Sequence, residues 1–264
     1  MKKYWMVFKI SWSRLGEYRF NLFLNQLRVF VVLLMLYYVW RSLIDQHRFF
    51  AGYGEKEIMT YVFGALLLRS FVFGEQSREA AQEINTGLFS QYLLRPISYI
   101  SFIFMRELPA RLWFFLLTLV QIVLLILILK PAFFVQSDLK INFMFIFSVF
   151  LAMALYFLMS FLVNLLAFWS RETGGPRFLW EWILEFASGA YFPLNVLYQA
   201  AYWFLAFTPW AFLIYFPLRI YLGKISHRMM WEILGGEMVW LLLVAGVVYG
   251  VWKKGLKIYS GEGA

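Results

Sequence analysis

Long apolar stretches without any charged side chain constrain this sequence more than any other feature. Residues 112–129 and residues 143–169 contain no Asp, Glu, Lys or Arg, and a helix needs about 20 apolar residues to cross a hydrocarbon core about 30 Å thick. The apolar residues run continuously, unlike the alternating pattern of a membrane barrel. Because 62% of the 264 residues are hydrophobic and only 15% are charged, most of the surface must face lipid. We expect an all-α membrane protein.

Apolar segments of suitable length occur six times and predict six transmembrane helices. Their approximate bounds are residues 20–44, 58–73, 106–129, 141–169, 178–194 and 238–252. Three arginines lie inside these segments, and a charged side chain in a span either faces protein or extends to the interface. For Arg111, near the start of the third segment, we expect the interface. For Arg28 and Arg69 both positions remain open.

The amino-terminal segment, residues 1–16, is too interrupted by charge to be a cleaved signal peptide, because Lys9 and Arg14 break its apolar runs. Apolar and aromatic side chains recur there at helical spacing, namely Tyr4, Trp5, Phe8, Trp12 and Leu15. This pattern favours an amphipathic helix lying in the lipid headgroup region over a disordered basic tail.

Prolines divide the apolar residues that lie between the fifth and sixth segments. Pro193, Pro209 and Pro217 leave pieces too short to cross a bilayer. Broken helix at membrane depth is tolerated only against other protein or beside a wet cavity. We expect residues 195–215 to form a re-entrant hairpin of two short helices, with a simple seventh span as the alternative.

Lysine and arginine are more frequent in the segments that share a side with the two termini. With six spans and both termini cytoplasmic, the tail residues Lys253, Lys254 and Lys257 fall on the inner side, as the positive-inside rule predicts. A seventh span would move them outside. The net charge of +9 is then explained by topology and by anionic lipid headgroups, and we expect no nucleic-acid partner.

The sequence offers few side chains for catalysis or metal binding. It contains no cysteine, and its two histidines, His47 and His227, lie in different loops without a second ligand at metal spacing. No stretch completes the phosphate-binding pattern G-x-x-x-x-G-K-[ST]. We therefore expect no catalytic residue, metal or cofactor in this chain, and any ATP-driven function needs a partner chain.

Two carboxylates are the main candidates for chemistry inside the bilayer. Glu181 and Glu185 are one helical turn apart and share a face, and in lipid such a pair needs partners, protonation or water. They could form the proton or cation site of an ion-coupled secondary transporter, which needs no ATP. A membrane enzyme acting on lipids is a third hypothesis, which the lack of a convergent polar cluster disfavours.

A motif after the second apolar segment gives a more specific indication. Residues 83–98 read E-I-N-T-G-L-F-S-Q-Y-L-L-R-P-I-S, which resembles the signature of ABC-2 type permeases, in particular the bacterial ABC-2 family transporter proteins. Two other stretches agree with this resemblance. They are S-G-A-Y-F-P-L at residues 188–194 and G-L-K-I-Y-S-G-E-G-A at residues 255–264.

The resemblance implies an architecture and a set of partners. An amphipathic amino-terminal helix would precede six spans, with a coupling helix at residues 78–88 and re-entrant helices before the sixth span. Two permease chains, identical or related, would pair in the bacterial inner membrane. Two ABC ATPase subunits, which bind ATP and Mg²⁺, would dock beneath them.

The resemblance also implies which side chains couple the permease to its ATPase. They are Arg78, Glu79, Gln82, Glu83, Ile84, Gly87 and Leu88. The polar residues share one face of the coupling helix, and Ala80, Ala81 and Ile84 share another. A helix with these two faces can fit a groove in a soluble partner.

The fifth segment and the turn that follows it supply the candidate substrate pathway. Its residues are Glu181, Glu185, Tyr191, Phe192 and Asn195. The aromatic side chains would suit an apolar, amphipathic or cationic substrate, although aromatic residues in membrane proteins more often form interfacial belts and packing contacts.

Overall fold

The computed structural model describes residues 2–15, 19–46, 52–73 and 79–259 of the chain. Eleven α-helices follow one another within these residues. They are α1 (Lys2–Arg14), α2 (Arg19–Gln46), α3 (Glu55–Val72), α4 (Glu79–Asn85), α5 (Ser90–Leu93), α6 (Tyr99–Leu129), α7 (Leu139–Asn164), α8 (Gly174–Ala187), α9 (Gln199–Ala206), α10 (Tyr215–Tyr221) and α11 (His227–Ile258). Short 3₁₀ turns at Leu165–Phe168, Leu194–Val196 and Pro209–Phe212 connect some of them.

Among the described residues, four helices are long and apolar enough to cross a membrane. They are Leu22–Ile44, Tyr99–Leu129, Leu139–Phe168 and His227–Ile258. Their outer faces carry large apolar side chains in the open, since Leu127 is 66%, Phe143 72% and Leu242 66% exposed. Such a surface is stable in lipid and unfavourable in water. The chain is therefore a multi-pass membrane protein.

Helix α3 lies at the centre of the bundle. It contacts α2, α6, α7 and α10, and its residues Ile58, Tyr61 and Ala65 are completely buried. Protein rather than lipid surrounds much of this helix. It therefore tolerates Arg69 and three charged residues in its first turn, which lower its hydropathy below that of the four long helices.

Helices α6 and α11 begin earlier than the apolar pattern predicts, at Tyr99 rather than residue 106 and at His227 rather than residue 238. Ser226 caps α11, because its hydroxyl accepts a hydrogen bond from the Met229 amide at 3.2 Å. Hydropathy alone detects only the apolar part of each helix. The polar first turns extend beyond it.

Arg111 lies inside the protein, so the prediction that it extends to the interface is wrong. Its side chain is 1% exposed, and it donates hydrogen bonds to the Val72 carbonyl oxygen and, at 3.0 Å, to Glu107 Oε2. The ring of Tyr156 lies 5.1 Å from its guanidinium carbon. These partners come from α3, α6 and α7, and together they stabilise the buried charge.

Between α8 and α11 the chain turns back into the bundle. The rings of Trp180 and Trp210 are 6.4 Å apart, and the Tyr215 amide donates a hydrogen bond to the Ser188 carbonyl oxygen at 3.0 Å. The 3₁₀ turn at Pro209–Phe212 therefore lies beside α8. This return path separates α9 from α10.

The second short helix lies at Tyr215–Tyr221, largely outside the predicted range 195–215. Pro217 does not end this helix, contrary to the prediction. It falls in the first turn of α10, where the backbone N–H that proline lacks has no helical partner in any case.

Contacts between the connecting segments define two ends of the bundle. At the α4 end, Lys3 donates a hydrogen bond to a carbonyl oxygen of the α5–α6 connection, and Tyr259 Oη donates one to the Gly87 carbonyl oxygen at 3.0 Å. At the far end, Lys224 Nζ lies 2.5 Å from Glu57 Oε2. Lys3 and Tyr259, near the two limits of the described chain, are thus at the same end.

Candidate functional site

The segment that resembles a coupling helix is helical only over Glu79–Asn85, and Arg78 lies outside the described residues. Gly87 follows the helix with φ of +77°, a left-handed conformation that favours glycine and ends helices. The predicted range 78–88 therefore consists of a short helix followed by a turn.

The apolar face of α4 is buried within the chain itself. Ala80, Ala81 and Ile84 are 0%, 3% and 3% exposed, and α4 packs against α7 and the 3₁₀ turn at Leu165–Phe168. Neighbouring helices of the same chain cover this face, so a soluble partner would meet the opposite side of α4.

Glu83 ties α4 to the start of α6. Its Oε1 accepts hydrogen bonds from Arg106 Nη1 at 2.5 Å and Tyr92 Oη at 3.2 Å, and its Oε2 accepts one from Tyr99 Oη at 2.5 Å. Burial and the negative charge of Glu83 raise the pKa of Tyr92, so its hydroxyl stays protonated and continues to donate. A displacement of α4 must therefore displace α6 or break these bonds.

Three of the predicted coupling residues are exposed, and we call them the α4 surface: Glu79, Gln82 and Leu88. The Glu79 side chain is 60% exposed even though its Oε2 lies 2.9 Å from Arg106 Nε. Leu88 is 51% exposed. The α4 surface thus presents one carboxylate, one amide and one apolar side chain outward.

A cavity of about 460 Å³ lies between α2, α3, α6 and α8, and we call it the charged cavity. The predicted pathway residues that line it are Glu181, Glu185 and Tyr191, and those that do not are Phe192 and Asn195. Arg28 of α2 and Arg69 of α3 line it as well. The cavity thus brings together charged residues that are far apart in the sequence.

Both carboxylates of the charged cavity are paired with arginine. Arg69 Nε donates to Glu185 Oε1 at 3.0 Å and Oε2 at 2.9 Å. Arg177 Nε donates to Glu181 Oε1 at 3.2 Å, and Arg177 Nη1 donates to Asn164 Oδ1 at 3.2 Å. Charge-assisted bonds of this kind fix each carboxylate in position.

Arg28 and aromatic side chains complete the wall of the charged cavity. Among the described residues, the ion pairs at the cavity use Arg69 and Arg177, whereas Arg28 lines the cavity and is exposed. Phe178 and Trp182 line the cavity and are 56% and 50% exposed. The cavity is therefore open on the lateral surface of the bundle, beside α8.

The arginine partners of the two glutamates were not predicted from the sequence. Arg69 and Glu185 are 116 positions apart, and no local pattern indicates that they meet. Arg177 precedes Glu181 by one helical turn, and this spacing is a signal that could have indicated the second pair.

The described residues contain no group of three His, Cys, Asp or Glu side chains that could hold a metal ion. The arrangement at the charged cavity suits the binding of a ligand with charged and aromatic parts. The hydrogen bonds of Glu83 with Tyr92, Tyr99 and Arg106, which we call the Glu83 network, suit the transmission of movement between α4 and α6. Neither arrangement assembles a nucleophile with a base.

The family model for ABC-2 family transporter proteins matches residues 30–263. No curated protein and no solved structure matches the chain. The family match includes the Glu83 network and the walls of the charged cavity that α3, α6 and α8 supply, and it begins within α2, after Arg28. This chain belongs to the ABC-2 family of transporter proteins, the membrane-spanning permeases of ABC transporters.

Proposed function

We propose that this chain is the permease subunit of an ABC exporter in the bacterial inner membrane, with six spans and with both termini in the cytoplasm. Two ATPase subunits bind ATP and Mg²⁺ and dock at the α4 end. Two permease chains, identical or related, form the translocation pathway. The charged cavity is the part of that pathway that this chain supplies.

The order of the helices supports six crossings. Helices α2, α3, α6 and α7 alternate in direction between the two ends of the bundle. The segment from α8 to α10, which prolines divide, makes one crossing to the far end. The Tyr221 carbonyl oxygen in α10 accepts a hydrogen bond there from Gln136 in the α6–α7 connection. Helix α11 then returns to the α4 end. An even number of crossings agrees with the shared position of Lys3 and Tyr259.

The observation that carries the proposal is the Glu83 network. Docking of an ATPase on the α4 surface would move α4, and the hydrogen bonds of Glu83 would pass this movement to Tyr99 and Arg106 of α6. Helix α6 also lines the charged cavity, through Phe114 and Thr118. Hydrogen bonds and α6 would therefore connect the docking site to the pathway. ATP binding can shift this connection from one conformation to another only if the ATPase contacts the two conformations differently.

The open side of the charged cavity supports pairing of two permeases. Phe178 and Trp182 expose aromatic surface beside a cavity that also holds Arg28. A second copy related by a two-fold axis would place the same surface opposite and enclose a larger pathway. The combination of arginine and aromatic walls favours an amphipathic substrate with an anionic group.

The alternative is an ion-coupled transporter that uses Glu181 and Glu185. A carboxylate that binds and releases protons or cations must exchange partners during transport. The arginines beside Glu181 and Glu185 already donate to these carboxylates and compete with any cation. This pairing supports a positional role for both carboxylates.

Purification in mild detergent separates the two functions. The exporter is expected to co-purify with an ATPase in equal copy number and to hydrolyse ATP. The ion-coupled alternative predicts transport into vesicles driven by a proton gradient, without ATP or a companion chain. If no ATPase co-purifies and a proton gradient alone drives uptake, the exporter proposal is wrong.

A matched pair of variants locates the docking site. Leu88→Asp places a charge on the α4 surface, and we expect at least about a tenfold loss of bound ATPase, as for an interface residue worth about 1.4 kcal/mol or more. Leu139→Asp makes the same change at the far end, where Leu139 is 83% exposed, and should retain the ATPase. Equal retention by both variants would remove the α4 surface from the docking site.

A further inference from the structure

A second cavity, of about 680 Å³, lies between the carboxy-terminal end of α1, α2 and α6, and we call it the apolar cavity. Most of its lining is apolar, and the side chains concerned are Leu15, Leu22, Phe23, Leu117 and Val120. Phe23 and Val120 are also 62% and 55% exposed. The cavity therefore opens sideways on the surface that faces lipid.

One wall of the apolar cavity carries polar atoms that lack hydrogen-bond partners among the described residues. Gln26 is 6% exposed, and neither its Nε2 nor its Oε1 has a partner. Trp113 Nε1 and Gln121 Oε1 are also buried without a hydrogen-bond partner among the described residues. These residues all line the cavity. An unpaired buried amide is costly, so a ligand that both accepts and donates hydrogen bonds would stabilise this wall.

The size and lining of the apolar cavity indicate the kind of ligand. Its volume lies within the range of about 300–1,000 Å³ found for small-molecule sites. It is far larger than the share of about 30 Å³ that one water molecule occupies. The leucine, phenylalanine and valine side chains that line the cavity offer no hydrogen bonds to a cluster of waters. An acyl chain would fill the space between these side chains.

Basic residues of α1, next in sequence to the lining of the apolar cavity, indicate the headgroup. Ser13 and Leu15 of the amino-terminal segment line the cavity, and Arg14 lies between them. Helix α1 contains four basic residues and no acidic one. Basic residues on an amphipathic helix attract anionic lipids at the membrane surface.

We propose that the apolar cavity binds an anionic glycerophospholipid of the bilayer. One acyl chain lies among Leu22, Phe23 and Leu117, and the glycerol and ester oxygens meet Gln26, Trp113 and Gln121. The phosphate lies near Arg14. This site is separate from the charged cavity, and it would hold α1 against α2 and α6, where the rings of Trp12 and Trp113 already meet edge to face at 6.0 Å.

Native mass spectrometry of the purified permease complex tests the site. After detergent exchange to remove lipid, dioleoyl phosphatidylglycerol is added as the anionic probe and dioleoyl phosphatidylcholine as the zwitterionic one. We expect saturable binding of phosphatidylglycerol, with weaker binding of phosphatidylcholine. Gln26→Leu keeps the side-chain size and removes the amide, and should weaken phosphatidylglycerol binding about tenfold, as the loss of one or two hydrogen bonds would.

Two tryptophan variants separate filling of the cavity from a general change of the surface. Leu117→Trp places an indole in the apolar cavity and should abolish saturable binding. Leu127→Trp places the same group on the exposed face of α6, where Leu127 is 66% exposed, and should bind phosphatidylglycerol as the unmodified protein does.

Three results would overturn the proposal. The first is phosphatidylglycerol binding by Gln26→Leu at the affinity of the unmodified protein. The second is an equal effect of Leu117→Trp and Leu127→Trp. In the third, Leu117→Trp breaks a pair of permease chains without changing lipid binding, which would assign the cavity to a second copy of the chain. Because Gln26→Leu preserves side-chain volume, its result decides the matter even if Leu117→Trp fails to fold.

Discussion

The two cavities beside α2 differ in how their polar groups are satisfied. In the charged cavity, Glu185 and Glu181 pair with Arg69 and Arg177, which come from α3 and α8. In the apolar cavity, the Gln26 amide is buried without a partner among the described residues. The first site pairs its carboxylates within one chain, whereas the amide of the second site requires a partner from outside the chain.

This difference separates two roles for polar residues in a membrane protein. Paired charges in the charged cavity fix the shape of the wall, and Arg28 is exposed beside them. The unpaired amide in the apolar cavity stabilises the fold only when a ligand is present. The first arrangement suits a pathway through which substrates pass, and the second suits a lipid that stays bound.

The largest expected effect comes from breaking the pair between Arg69 and Glu185. Either Arg69→Ala or Glu185→Ala leaves an uncompensated charge in the bundle, which costs about 3–5 kcal/mol of stability. The double variant Arg69→Met with Glu185→Leu should recover most of this loss, because no charge remains. Thermal unfolding in detergent measures all three. If Glu185→Ala unfolds at the same temperature as the unmodified protein, the ion pair does not stabilise the wall of the charged cavity.

A smaller effect is expected at Gly189, which shapes the turn between α8 and Tyr191 of the charged cavity. Its φ is +83°, and an added Cβ would lie 2.7 Å from Tyr61 Oη. Gly189→Ala should therefore cost at least about 1–2 kcal/mol, the penalty for a side chain in this conformation. Gly250→Ala in α11 meets no atom within 4 Å and should be neutral or gain up to about 1 kcal/mol. If the two variants unfold at the same temperature, the wall of the charged cavity at Gly189 is not rigid.

The smallest expected effect is a difference in stability between variants of two glutamines, measured in protein from which lipid has been removed. Gln136 donates to the Tyr221 carbonyl oxygen at 2.9 Å and accepts from the Asp138 amide at 3.1 Å. Gln136→Leu should therefore cost about 1–2 kcal/mol. Gln26→Leu should cost nothing or stabilise by about 1 kcal/mol, because it removes an unpaired amide. A loss of stability for Gln26→Leu as large as that for Gln136→Leu would mean that its amide is satisfied without lipid.

Part of this fold could be predicted from local sequence. The apolar runs of α6 and α7 indicate spans because lipid dictates hydropathy, and the motif at residues 83–98 indicates the family. The start of α11 and the end of α4 were missed because serine caps and a glycine turn, rather than hydropathy, set them. Pro217 was misread because its effect depends on its position within a helix.

The candidate sites depend on contacts that local patterns do not contain. Arg111 was expected at the interface, yet partners on two neighbouring helices bury it. The burial of Ile84 follows from packing against Leu165–Phe168, far along the chain. Residues whose environment is set by tertiary packing can be identified in the sequence as unusual, as Arg69 was, but their partners cannot.

Site-specific crosslinking from the α4 surface tests most directly that this permease couples to an ATPase through α4. Because the chain contains no cysteine, Gln82→Cys carries a single thiol to which a photo-reactive group can be attached in native membranes, with Leu139→Cys as the control at the far end. We predict that Gln82→Cys captures a polypeptide that carries the phosphate-binding pattern G-x-x-x-x-G-K-[ST], and that Leu139→Cys does not. Capture of that polypeptide from Leu139→Cys, or its absence from Gln82→Cys in a complex that hydrolyses ATP, would contradict the account.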